Sequence, residues 1–298
     1  KLNFDYETLS KINPKIVYAS VSAYGPDAPD GNLPGTDAVG QALSGIAEAY
    51  SIPGINLRTG VASVADESCA ILTFGGILAA YINAQKTGKG QKLETSLVGS
   101  AFRLLGWTMT TAMWSNKPPI TGARINGTRE KPGIAACFND MDDKPFALQL
   151  SPENWSVAMK ALNFYDVLEK EGLIDLGLAF ESEQKKIDIL NKLAELFSKK
   201  KRDHWISILR NADMISTHVN TMLEASNDPN IKENNYVTEV WYPELNKNMK
   251  VHGTPWKFSK TPAKIKIAPK LGEHNSKILS NLGYSDEEIK SLQEDNVI

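Results

Sequence analysis

Apolar and polar positions divide the first 115 residues into short, sharply bounded stretches. Residues 5–11 follow a helical period that Asn13-Pro14 stops, because the residue before a proline avoids the α region. Ile16-Val17-Tyr18-Ala19-Ser20-Val21 then predicts a strand. Residues 25–35 hold three prolines, three glycines and two aspartates, which predicts a loop. Apolar positions return at helical spacing over 37–50, break in a second loop over 51–60, and resume in a long apolar helix over 64–85. That helix ends in Lys86-Thr87-Gly88-Lys89-Gly90-Gln91, with a basic last turn and a glycine placed for a C-terminal cap. Lys92-Leu93-Glu94-Thr95-Ser96-Leu97 alternates as a strand, and a further helix runs to Trp114. Strand, helices, strand and helix in this order predict a largely parallel α/β layer.

The remainder predicts a second, smaller α/β unit. A polar stretch over 116–130 reads as a linker, and short strands are expected at 135–138 and 146–150 around an acidic turn. Helices are expected at 152–162, 183–199 and 201–210. From Tyr236 the chain reads as extended and punctuated by proline, ending in helices near 273–282 and 285–292. The resulting division is 1–115 as part of a large domain, 131–225 as a small domain, and 226–298 as a return segment with terminal helices packing on the large domain.

Composition and charge narrow the function classes. A net charge of −2 and an isoelectric point near 6.2 produce no field that gathers nucleic acid or acidic lipid. The apolar stretch 71–82 is shorter than the ~20 residues a membrane span needs, so it is expected as a buried core helix. Lys1-Leu2-Asn3-Phe4-Asp5 leads into no signal-peptide core. Cys69 and Cys137 are far apart and unaccompanied by histidine, which fits a reducing cytoplasm and excludes a zinc site. No metal is expected, and the four histidines, His204, His218, His252 and His274, show no ligand spacing.

Asp66 is the residue best placed for chemistry. It stands where a loop becomes an apolar helix, and first-turn amides and the helix dipole favour its ionised form. A partly desolvated carboxylate there can attack a thioester, or it can simply cap the helix. Thr87-Gly88-Lys89-Gly90-Gln91 lacks phosphate-loop spacing and follows a helix, so it reads as a terminating turn. Trp107, Met109 and Trp114 could line an acyl pocket, although their helical spacing reads first as core.

Several stretches, in order, resemble the family III CoA-transferases. Phe4-Asp5-Tyr6-Glu7-Thr8-Leu9 through Asn13-Pro14-Lys15-Ile16-Val17-Tyr18 is similar to the family's LDYExLxxxNPxLIY. Ser20-Val21-Ser22-Ala23-Tyr24-Gly25 resembles SxSGFG, and Pro34-Gly35-Thr36-Asp37 with Gln41-Ala42 and Ser44-Gly45 resembles PGxDxxxQAxSG. Arg58-Thr59-Gly60, Asp66, Gly76-Ile77-Leu78-Ala79-Ala80 and Thr87-Gly88-Lys89-Gly90-Gln91 follow at family spacing. Toward the end, Asn227-Asp228-Pro229 and Ala268-Pro269-Lys270-Leu271-Gly272-Glu273-His274 continue the likeness.

The resemblance implies a Rossmann-like large domain with a smaller α/β domain, and an interlocked homodimer in which each chain threads its partner. It implies ping-pong transfer of CoA between an acyl-CoA and a small organic acid, with Asp66 as the nucleophile. The CoA thioester is substrate, and no permanently bound cofactor is implied. Gly35, Thr36, Asp37 and Gln41 stand in the motif that lines the site in relatives, with Gly35 allowing close approach to the thioester and Asp37 and Gln41 giving polar support. Asp37 could equally cap its own helix. Helix amides and nearby loop amides would stabilise the oxyanion.

Two positions separate transferase from racemase. Thr36 stands where the family's racemases carry histidine, and Ser151 stands at their glutamate, and neither is a base near neutral pH without activation. A 2-methylacyl-CoA racemase is therefore the second reading. A CoA-ester-binding or partner subunit without catalysis is the third. The glycine-rich loop that closes over small acids in formyl-CoA transferases has no clear counterpart, which points away from formate–oxalate exchange. The family's opening strands also have no counterpart before Lys1, so a fragment or one part of a split enzyme is expected.

Overall fold

A computed structural model describes residues 2–50, 62–117 and 125–298. The expected loop over 51–60, the Arg58-Thr59-Gly60 motif, Lys1 and positions 118–124 of the expected linker lie outside the described residues. The chain divides into two compact units, one formed by 1–136 and 176–182, the other by 137–175 and 183–298.

In the first unit, helix α1 (Tyr6–Ile12) is capped by Asp5, whose carboxylate accepts from the Thr8 amide at 2.8 Å. Its end at Asn13 is the stop that Pro14 imposes. Strand β1 (Val17–Ser22) follows, then α2 (Asp37–Ser44) and α3 (Ile46–Ala49), separated by Gly45. Helix α4 (Val64–Thr87) ends at Gly88, which adopts φ +74° and donates its N–H to the Ala84 carbonyl at 2.9 Å. A short turn then reverses the chain into β2 (Gln91–Ser96), which pairs parallel with β1 from Val17↔Gln91 to Ser22↔Ser96. The crossover between these strands is helical, as parallel pairing demands. Ser96 caps α5 (Leu97–Leu104), accepting from the Gly99 amide at 3.0 Å, and α6 (Gly106–Ser115) follows.

Small residues bring these helices together. Ile46, Ala65 and Ala101 form a buried cluster against which Val64, Leu97 and Leu105 pack. A Cβ on Gly40 would stand 2.6 Å from the Ala65 Cβ and 3.1 Å from the Leu97 Cβ, so only glycine lets α2 lie this close to α4 and α5. Along α4 the buried positions are Ala65, Ser68, Cys69, Thr73, Ala80 and Ala84.

Two sequence expectations fail in this unit. Helix α4 is not buried all round: Ile71, Leu78 and Ile82 on its opposite side are 64, 44 and 53 % exposed. An all-apolar helix carries no mark of which face is covered, and here the small residues take the sheet side. By length and composition α4 is also apolar enough to cross a membrane, a property the 71–82 stretch alone does not suggest. The core reading of Trp107 and Trp114 fails likewise, since α6 buries no residue and both rings are largely exposed.

Strands β3 (Ile125–Gly127) and β4 (Pro132–Asn139) form an antiparallel hairpin with Ile125 opposite Ile134. The unit boundary runs through β4, between Ala136 and Cys137. In the second unit β5 (Pro145–Leu150) continues this sheet. Helices α7 (Pro152–Ala161), α8 (Tyr165–Lys170), α9 (Glu183–Phe197) and α10 (Arg202–Asn211) follow. Strand β6 (Ile215–His218) then pairs antiparallel with β5. Its core is aromatic: the Phe197 ring lies 4.9 Å from Phe138, 5.1 Å from Phe146 and 5.6 Å from Trp205, all tilted or edge-on.

Asp140, buried in the turn after β4, accepts from the amides of Asp142 at 2.8 Å, Lys144 at 2.9 Å and Arg202 at 2.6 Å. Burial pushes its carboxyl upward, but these amides and the Arg202 charge outweigh it and hold the group below the ordinary carboxylate range. Short helices α11 (Met222–Ala225) and α12 (Pro229–Glu233) lead to a hairpin of β7 (Val237–Tyr242) and β8 (Lys247–His252). Pairing there replaces the merely extended chain expected after Tyr236. Helices α13 (Asn275–Asn281) and α14 (Asp286–Glu294) end the chain.

Candidate active site

The C-terminal ends of parallel strands are where α/β layers bind ligands, because helix N-termini and loops converge there. Helix α4 runs directly into β2 through a short turn, so it lies antiparallel to that strand. Its first turn, carrying Asp66, therefore stands at the C-terminal edge of β1 and β2. The start of α2, with Thr36 and Asp37, reaches the same edge from the loop after β1.

Asp37 caps α4, not its own helix. Its Oδ1 accepts from the Ala65 amide at 2.8 Å and the Asp66 amide at 3.2 Å. Its Oδ2 accepts from the Gln41 Nε2 at 2.5 Å, and the same Nε2 also donates to the Ala62 carbonyl at 3.2 Å. Gln41 is buried and one turn along α2, so it holds the Asp37 carboxylate from behind. The positive end of α4 is thus met by a carboxylate from 28 residues earlier.

This alters two expectations. The Ala65 and Asp66 amides are spent on Asp37, the Val64 amide on the Ala62 carbonyl and the Glu67 amide on the Ser63 carbonyl. The first-turn amides are therefore not free to receive an oxyanion. Asp66 itself is exposed, so the described residues do not shield it from water.

The other named positions are arranged around this contact. Thr36 is the N-cap residue of α2 but makes no capping bond through its side chain. Gly35 is tight for a reason inside the fold: a Cβ there would stand 2.4 Å from the Ala23 Cβ at the end of β1. Asp37, Gln41 and the Asp66 backbone are brought together, whereas Gly35 and Thr36 shape the approach of the loop. Ser151 is the N-cap residue of α7 in the other unit. No group of His, Cys, Asp and Glu able to hold a metal occurs among the described residues.

A groove of about 370 Å³ opens at Asp66. Ala70, Phe74 and Ile77 of α4 form one wall, with Val21 of β1 and Leu97 of α5 facing them. The buried Thr73, which lines the groove, pairs its hydroxyl with that of the half-buried Thr95 at 2.7 Å, and the Cys69 sulfur lies 3.9 and 3.7 Å from them. The sequence assigns none of the groove's lining residues but Asp66 to the site. For Ala70, Phe74 and Ile77 the available signal was a spacing from Asp66 of i+4, i+8 and i+11, which follows one helix face.

The model of CoA-transferase family III matches residues 1–275. Formyl-CoA:oxalate CoA-transferase of Escherichia coli O157:H7 (strain EC4115 / EHEC) is 25% identical over 316 residues, covering all of this chain and 75% of that protein. The enzyme of the same name from Shigella dysenteriae serotype 1 (strain Sd197) matches at the same identity and coverage. Among solved structures, a CaiB/BaiF family protein from Brucella suis superposes with a TM-score of 0.77 at 21% identity, over 94% of this chain and 71% of that one. A hypothetical protein from Mycobacterium tuberculosis gives a TM-score of 0.72 at 20% identity, over 92% and 71%.

Proposed function

The chain belongs to CoA-transferase family III, and on that premise we propose that it moves CoA from an acyl-CoA to an organic acid through a covalent intermediate on Asp66. The observation that carries this reading is an exposed aspartate at the sheet's C-terminal edge, opening onto a groove and relieved of the capping task by Asp37.

The Asp66 carboxylate attacks the thioester carbonyl, the carbon–sulfur bond breaks, and CoA leaves as thiolate with an aspartyl–acyl anhydride behind it. The thiolate returns to the aspartyl carbonyl and releases the donor acid as its carboxylate, leaving CoA on Asp66. The acceptor carboxylate attacks that thioester, expels the thiolate again, and forms a second anhydride. Thiolate attack on the acceptor's acyl carbon gives the new acyl-CoA and restores Asp66. Asp37 and Gln41 hold the first turn of α4 in register for these attacks. Oxyanion donors would have to come from outside the first turn of α4.

We assign 1–115 to the CoA-binding large domain, 116–130 to the linker, 131–225 to the small domain and 226–298 to the return segment. The resemblance supports an interlocked homodimer, and the two free cysteines, Cys69 and Cys137, are in keeping with a reducing cytoplasm.

Intact-mass and peptide mapping after mixing the protein with acyl-CoAs and hydroxylamine tests the reading. An Asp66 hydroxamate or CoA adduct supports transfer. Solvent-deuterium exchange at the α-carbon with no adduct moves the reading to a racemase, and neither signal favours a non-catalytic chain.

A further inference from the structure

We infer that the groove below Asp66 is the subsite for the acyl group, and that it selects monocarboxylic acids with a medium-length aliphatic tail. The inference rests on the transferase reading and goes on to name its substrate class.

The groove follows the stripe of α4 that begins at the nucleophile. Ala70, Phe74 and Ile77 lie four, eight and eleven residues beyond Asp66, so the stripe descends about 16 Å at 1.5 Å per residue. A tail attached to an acyl carbonyl at Asp66 would lie along this open apolar groove of about 370 Å³. Phe74 and Val21 are 48 and 54 % exposed along it, so an entering hydrocarbon removes apolar surface from water. Among the described residues that line it, Asp66 and the buried Cys69 thiol, beside the Thr73 and Thr95 hydroxyls, are the only ionisable side chains.

A dicarboxylate is disfavoured by the same facts. Its second carboxylate would enter a groove whose lining holds no cation among the described residues, beside the charge of Asp66. A hydrocarbon tail gains about fourfold in affinity for each methylene it buries, until the channel is full. Donor and acceptor acids pass through the same aspartyl anhydride, so one channel selects both.

The test measures the rate of Asp66 hydroxamate formation from acetyl-, butyryl-, octanoyl- and oxalyl-CoA by the full chain. The expected order rises from acetyl to octanoyl and places oxalyl last. In Ala70→Phe, which fills the upper channel, the octanoyl-to-acetyl ratio falls about tenfold. Phe74→Ala, which widens the channel, shifts the preference toward bulkier tails. Ratios within one variant cancel any loss of folded protein. Adducts with equal rates for all acyl groups, or a ratio unmoved by both substitutions, would overturn the subsite and leave Asp66 as nucleophile. If no acyl-CoA labels Asp66 at all, the transferase reading fails, and the subsite with it.

Discussion

Asp37 and Asp66 divide two tasks that one aspartate at a helix start could perform. Asp37 takes the Ala65 and Asp66 amides, while the Asp66 side chain makes no capping bond. Asp37→Ala strands the Ala65 and Asp66 amides and removes one acceptor from the Gln41 side chain, and is expected to cost about 2 kcal/mol. A shift of the urea midpoint measures it, and an unmoved midpoint would contradict the capping role. Asp66→Asn removes no such contact, so its stability is expected to stay within about 0.5 kcal/mol of the parent while the hydroxamate disappears. A large loss of stability in that variant would mean that Asp66 is structural after all. The sequence places both aspartates near helix starts, but it cannot tell which helix each one caps. The answer depends on a contact across 28 residues, fixed only when α2 folds onto α4.

At the scale of elements, long-range caps recur. Asp140 meets the first amide of α10 from 62 residues away, as Asp37 meets α4. Because its folded carboxyl titrates below the unfolded value of about 3.9, its contribution is complete above that pH and is lost as pH falls through the folded value. Asp140→Asn is therefore expected to be roughly 2 kcal/mol less stable at pH 7, with the gap to the parent closing below about pH 4. Paired urea titrations at both pH values check this, and a gap that stays constant down to pH 2.5 would refute the linkage. Gly40→Ala is expected to lower stability by about 2 kcal/mol, since its Cβ meets Ala65 and Leu97 backbone-anchored carbons that cannot swing away. Thermal unfolding decides, and an unchanged melting point would mean that α2 can slide.

The same scale shows what was legible. The ends of α1 and α4 were readable because Asn13-Pro14 and Gly88 punctuate them chemically. The β7–β8 hairpin was not, because its turn runs through Pro243 and a left-handed Asn246 with no glycine pair to mark it. Strand β6 is only four residues long and takes its strand character from pairing with β5.

For the whole molecule the decisive quantity is where apolar surface goes. Residues of α4 are apolar around the full circumference, so its sequence supports a buried helix as well as the observed one-sided packing. Its small side chains meet the sheet, its nucleophile opens the groove, and Ile71, Leu78 and Ile82 face outward away from both. A Cβ on Gly75, on that same outward side, would touch nothing within 4 Å. Contiguous exposed apolar surface of this kind binds hydrophobic dye in water. The chain is expected to enhance naphthalene-sulfonate fluorescence while natively folded, and the double variant Leu78→Lys, Ile82→Lys to lose most of that signal without a change in circular dichroism. Octanoate, which would occupy the groove, should leave the outward-face signal in place, separating the two apolar surfaces on one helix. Dye binding that survives the double variant but disappears with octanoate would place the accessible apolar surface in the groove alone, and would mean that the outward face of α4 is covered in solution.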